Sequence, residues 1–101
     1  MKEVKRLSEL SKTNQNLLTC KHKEKTYSAE VINNTTNNIK VLVGVISSAF
    51  FNPNNKDFSN NTLTIRPGET QKFDNIFCMK NEKIFISSTS KDVSVVVYED
   101  A

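Results

Sequence analysis

Clusters of asparagine cut this chain into pieces of strand length. They fall at Asn33-Asn34, Asn37-Asn38, Asn52 to Asn55 and Asn60-Asn61. Asparagine accepts a left-handed backbone and bonds to its own main chain, so such clusters mark turns and loops. Between them, Tyr27-Ser28-Ala29-Glu30-Val31 alternates, which places Tyr27, Ala29 and Val31 toward a core and Ser28 and Glu30 outside. Ile39 to Ile46 is β-branched and nearly continuous, the pattern of a central strand buried on both faces. The link from Asn33 to Asn38 has the length of a hairpin loop. Leu63-Thr64-Ile65 stops at Arg66-Pro67-Gly68, where Pro then Gly fits a type II turn. Gln71 to Phe73, Asn75 to Met79, Lys83 to Ser87 and Val93 to Tyr98 complete the series, with turns at Asn81 and Lys91-Asp92. Seven to eight short strands, with no helical pattern after Cys20, predict an all-β antiparallel β-sandwich of jelly-roll-like form. Its expected core is Val31, Val41, Val43, Ile65, Phe73, Ile84, Ile86, Val95 and Val97.

The N-terminal segment reads differently. Val4, Leu7 and Leu10 are three apart, and Leu17-Leu18 follow a polar turn at Ser11 to Asn16. That spacing fits a short amphipathic helix or an extended arm lying on its own sandwich or on a neighbour. The domain division is therefore an arm over residues 1–16 and a β-sandwich over residues 17–101. A chain of 101 residues with 37% hydrophobic content and no Trp builds a thin core, which a partner surface would supplement. The expectation is a homo-oligomer, a trimer, with Val4, Leu7 and Leu10 at its contacts. The Val93 to Tyr98 strand is an edge that such an arm would cover.

The chemistry-bearing residues are sparse. Net charge is +3, from 14 basic and 11 acidic residues, and Glu24 interrupts the basic run of Lys21, Lys23 and Lys25. That falls short of a nucleic-acid stripe, so no nucleic-acid partner is expected. Cys20 and Cys78 form no CxxC pair; two free buried thiols are favoured, with a disulfide as the alternative if two strands bring them together. His22, the one histidine, lies two residues after Cys20, on the same face of an extended chain, but among solvated lysines. A surface histidine is the plain reading, with thiolate chemistry as the rival. The acids are scattered, Asn52 to Asp57 lacks the Gly and Glu of an EF-hand loop, and Gly44 and Gly68 are the only glycines. No catalytic residue, metal site or cofactor is assigned. Phe50-Phe51 beside a long polar loop point to opposite faces, so one ring is a candidate protein contact or glycan platform. The apolar run from Val41 to Ile46 is too short for a bilayer helix, and Met1 to Arg6 lead into no apolar signal region, so synthesis in the cytoplasm and no membrane partner are expected.

The order of these pieces resembles a family of small β-sandwich proteins of tailed bacteriophages, found among head-decoration, head-fibre, neck and tail components. The matching residues are Leu17-Leu18-Thr19, Val31-Ile32-Asn33-Asn34-Thr35, Val41-Leu42-Val43 and Thr64-Ile65-Arg66-Pro67-Gly68-Glu69-Thr70. Ile84-Phe85-Ile86-Ser87-Ser88-Thr89-Ser90 and Val93-Ser94-Val95-Val96-Val97-Tyr98 complete them. The chain departs from the family at Tyr98-Glu99-Asp100, where a Gly usually precedes the final acid, and at Lys80 to Lys83, where a Gly-Asp pair is usual. The resemblance implies a non-enzymatic structural component of the virion, located in the particle, that adheres to other virion proteins as a symmetric oligomer. The alternative function is a carbohydrate- or receptor-binding module, for which Tyr27, Phe50, Phe51, Phe58 and Tyr98 are the candidate stacking rings.

Overall fold

A computed structural model describes residues 1–46 and 62–100. Eight strands run in the order β1 (Lys2–Leu7), β2 (Asn14–Thr19), β3 (Glu24–Asn33), β4 (Ile39–Ile46), β5 (Leu63–Ile65), β6 (Thr70–Met79), β7 (Lys83–Ser88) and β8 (Val93–Glu99). They form two four-stranded sheets, ordered β1-β8-β3-β6 and β2-β7-β4-β5, and every pairing is antiparallel. The fold is all-β, with no helix among the described residues. β1 pairs with β8, β2 with β7, β3 with β6 and β4 with β5, so the pairs nest inside one another. Since β3 and β4 belong to different sheets, the Asn33 to Asn38 link is a corner between layers and not the expected hairpin.

The inner faces share one core. Tyr27, Ala29, Val31, Ile76, Val93, Val95 and Val97 come from the first sheet, and Leu17, Ile39, Val41, Val43, Ile65, Ile84 and Ile86 from the second. The sequence-predicted core residues are all buried there except Phe73, which packs against the cluster while partly exposed. β4 corrects one expectation: Ile39, Val41 and Val43 are buried, but Lys40 is exposed and Leu42, Gly44 and Ile46 are half-covered. Among the described residues, its outer face meets no second layer of the kind the inner face meets. Phe85 lies over Gly44 on that outer face, where a Cβ on Gly44 would stand 3.3 Å from the ring. The pair shows why a glycine serves inside this strand.

Two bulges set the phase of the first sheet. In β1 the register shifts between Glu3 and Lys5, which lets both Val4 and Leu7 pack on the core although they are three residues apart. Leu10 follows in the turn beyond, 3% exposed, donating its N–H to the Lys91 carbonyl at 3.0 Å. The spacing that resembled a helix is thus a bulged strand and a turn. No boundary falls at residue 17, because β2 runs through it; the first strand lies on its own sandwich as the neighbour of β8, which is an interior strand and not an edge. In β6 a second bulge lies opposite Tyr27 and Ala29, with Asn75 at φ 57°. Gln71 and Phe73 face inward before it, Ile76 and Cys78 after it.

The corners are built from the predicted turn residues. Asn33 is fully buried and uses its whole amide: Nδ2 donates to the Asn37 and Ile65 carbonyls at 2.8 and 2.9 Å, and Oδ1 accepts from the Thr35 N–H and hydroxyl at 2.8 and 2.7 Å. That fully satisfied network makes a buried polar side chain tolerable. The Glu69 N–H closes on the Arg66 carbonyl at 3.1 Å around Pro67 and Gly68, the latter at φ 76°, as a type II turn requires.

Cys20 and Cys78 are disulfide-bonded, with Cα atoms 6.3 Å apart, and no cysteine is free. This overturns the expectation of two free thiols: Cys20 ends the β2 segment and Cys78 faces inward from β6, so the two layers bring them together. The bridge closes a 58-residue separation. Loop-closure entropy of that span corresponds to about 4 kcal/mol. Urea unfolding with and without reductant is expected to show a loss of that order on reduction; equal midpoints would mean the bridge adds nothing.

Candidate functional site

One end of the sandwich gathers the polar chemistry of the chain. There the β2–β3 connection meets the β6–β7 turn. The Cys20 N–H donates to the Glu82 carbonyl at 2.8 Å, the Asn81 N–H to the Cys20 carbonyl at 2.8 Å, and the Lys80 N–H to the Lys23 carbonyl at 3.2 Å. Asn81 holds φ 73° in the turn, and the Glu82 carboxylate accepts from the Met79 N–H at 2.8 Å. With the disulfide, these bonds make a rigid platform from two loops.

Beside the platform the mouth between the sheets is open. A cleft of about 480 Å³ is lined by His22, Glu24, Lys25, Thr26 and Asp100. A second, of about 320 Å³, reaches inward past Val4, Leu18 and Tyr27 from a rim that includes Lys2, Lys21, His22 and Glu99. Glu99 sits between them. Its carboxylate takes the Lys25 ammonium at 2.8 Å and lies 3.4 Å from His22 Nε2. The Lys25 hydrogen bond, helped by the charges of Lys25, His22 and Lys2, holds the Glu99 carboxyl below its ordinary range. Burial, and then the Glu99 charge, push the Tyr27 phenol up.

This arrangement binds charge more readily than it moves protons. The sulfur of Cys20 is committed to the disulfide, so the Cys20–His22 pairing has no thiolate to offer. Glu99 is committed to Lys25. Among the described residues no group of three His, Cys, Asp or Glu side chains is placed to hold a metal ion.

The outer face of the β1-β8-β3-β6 sheet carries a second feature at the same end. Met1, Phe77 and Met79 are 70%, 52% and 48% exposed. Phe77 lies opposite Thr26 on β3, Met79 opposite Glu24, and the Met1 sulfur is 3.6 Å from the Ser28 hydroxyl, two residues further along β3. A polar row closes this apolar area on one side: Arg6, Val96, Glu30 and Lys72 stand in register across the sheet.

Of the residues expected at protein contacts, Leu10 is buried and Val4 and Leu7 pack on the chain's own core, so they leave no arm for a neighbour. Phe50 and Phe51, like Phe58, lie outside the described residues. Tyr27 is 1% exposed and offers no ring face to a glycan. Phe77 and Met79 were missed because strict alternation from Phe73 would bury them. The polar pair Asp74-Asn75 in mid-strand is the sequence signal of the bulge that turns them outward.

No protein-family model matches the chain, and neither a curated protein nor a solved structure matches it.

The Glu99 pairing predicts a pH signature. A carboxyl whose pKa is depressed in the folded state adds stability above the ordinary carboxylate range, and that contribution is lost as pH falls through the folded value. Glu99→Gln is expected to lower the melting temperature at neutral pH and to converge with the parent protein in acid. Curves that stay parallel at every pH would show that the ion pair is not the source.

Proposed function

We propose that this protein is a non-enzymatic structural component of a bacteriophage virion, a decoration, head-fibre, neck or tail subunit, and that its eight strands form a jelly roll. The observation that carries the reading is the nested strand order, β1-β8-β3-β6 against β2-β7-β4-β5. Eight-stranded double-sheet jelly rolls are a recurrent architecture of viral capsid domains, and also of lectins. Three further observations support the structural reading over the lectin reading. The large hydrophobic side chains exposed on the outer sheet face are thioether and phenyl groups, which suit protein contact. Tyr27, one of the candidate stacking rings, is buried. The disulfide suits a particle that persists outside a reducing cytosol, since virion surfaces are among the places where such bonds endure.

The test is compositional. Particles purified from a culture of the bacterium that carries the gene are expected to contain the protein at a fixed stoichiometry to the major capsid protein, by quantitative mass spectrometry. Its absence from particles, with the protein present in the cell lysate, would overturn the reading.

A further inference from the structure

We infer that the inner cleft at the mouth of the sandwich is a binding site for a small organic carboxylate. Its charged end would meet Lys2, Lys21 and the Tyr27 hydroxyl, and its apolar body would lie against Val4 and Leu18. This site goes beyond the virion role proposed above and is independent of it.

The strand register places charge where a sandwich ordinarily places its core. Lys2 on β1, Glu99 on β8 and Tyr27 on β3 stand opposite one another across the sheet. Residues in such a row share a face, and Tyr27 faces the core. Lys25, two residues before Tyr27, stands opposite the inward-facing Cys78 and takes the Glu99 carboxylate at 2.8 Å. Two lysines and one carboxylate therefore point between the layers at this end, and Lys25 already occupies the carboxylate. Lys2 and Lys21 both line the inner cleft and form no ion pair among the described residues. The outer cleft differs, because Glu24 and Asp100 there balance Lys25 and His22. The surplus positive charge belongs to the inner cleft, which therefore selects an anion.

Tyr27 is a second and independent sign of a ligand. It is 1% exposed, and its hydroxyl has no hydrogen-bond partner among the described residues. A buried phenol hydroxyl ordinarily finds a partner, and one without is costly. Tyr27 lines the inner cleft, and its phenol lies within the field of Glu99 at the rim. Burial and that field keep the phenol protonated, so it offers a donor to an oxygen that enters.

The walls and the charge count narrow the class. Val4 and Leu18 are half-buried at the margin of the core and call for an apolar body. A volume of about 320 Å³ lies at the small end for ligand clefts, enough for one ring or a short branched chain. A carboxylate brings two oxygens for two ammonium groups and one hydroxyl to share. A phosphate would set its second charge against Glu99, and a sugar would set hydroxyls against Val4 and Leu18.

The experiment uses the full chain with its disulfide intact. Phenylacetate is titrated against it, with phenethyl alcohol and phenethylamine as neutral and cationic controls, and the Val4 and Leu18 methyl and Tyr27 ring signals are followed by NMR. Phenylacetate is expected to shift all three saturably, with a dissociation constant on the order of 1 mM. Lys2→Gln/Lys21→Gln is expected to weaken it about tenfold, and Tyr27→Phe, which keeps the ring, about threefold or more. Lys12→Gln, at the other end of the sandwich, is expected to leave it unchanged. Equal affinity for the acid and the alcohol, insensitivity to the lysine pair or to Tyr27→Phe, or no saturable shift at about 20 mM acid would overturn the inference. Melting curves of the variants confirm that a folded chain is being measured; Lys2 and Lys21 are exposed, so the lysine pair decides if Tyr27→Phe fails to fold. A comparison with N-acetylphenylalanine separates the two sources of such a group. Tighter binding than phenylacetate supports the site with a polypeptide C-terminus as its ligand, and weaker binding supports it with a free acid.

Discussion

The pairing of the first strand with the last is the contact on which the other layers depend. β8 supplies Val93, Val95 and Val97 to the core and also buries Val96 on its outer side. A strand covered so completely must be interior, and only β1 stands between it and solvent on one side. β1 itself is poor in apolar residues: Lys2, Glu3, Lys5 and Arg6 are exposed, and Val4 and Leu7 alone reach inward. Its contribution is therefore mostly main-chain hydrogen bonding plus two well-placed side chains. The charged outer residues do a second job, since an edge strand rich in lysine and interrupted by a bulge resists unwanted pairing with other chains. The Glu3–Arg6 contact at 2.6 Å is exposed, with Arg6 in register with Val96, and its charge adds little stability.

The nested topology also explains where rigidity is concentrated. Almost every strand pair joins residues far apart in sequence, so closing the outer pairs costs chain entropy that local contacts do not offset. The disulfide acts at one end of the sandwich, and the loops there are hydrogen-bonded to one another as well. At the opposite end the corners depend on side chains, Asn33 above all, together with the serine hydroxyls of the Ser88 to Asp92 turn. The two ends thus differ in one respect: one is joined covalently, while the other is held by side-chain and main-chain hydrogen bonds, among them the Asn34 N–H to the Asp92 carbonyl at 3.1 Å. The candidate contact features all lie at the fixed end.

Strand existence was legible in the sequence because alternation and asparagine punctuation are local signals. Val41, Val43, Ile84, Ile86, Val95 and Val97 were placed in the core from their spacing alone, and they are there. What escaped was non-local or irregular. The bulges at Val4 and Asn75 break the period of two, so they disguised β1 as an arm and reversed the facing of Phe77 and Met79. Which sheet a strand joins depends on partners distant in sequence, so the β3–β4 corner read as a hairpin. The Cys20–Cys78 bond was undecidable for the same reason, because only the packed layers set the distance between the two residues. The Lys25–Glu99 pair in the mouth joins residues from opposite ends of the chain, and neither carries a local sign of the other.

The covalent link between Cys20 and Cys78 has one more consequence. It encloses most of the polypeptide, including the whole of β3, β4 and β5 and the segment between the last two. A protease that cuts anywhere inside that span leaves two fragments that are still one molecule. The strands on either side of the cut keep their partners in both sheets, and the fragments cannot drift apart by diffusion. A nicked chain of this design remains in place.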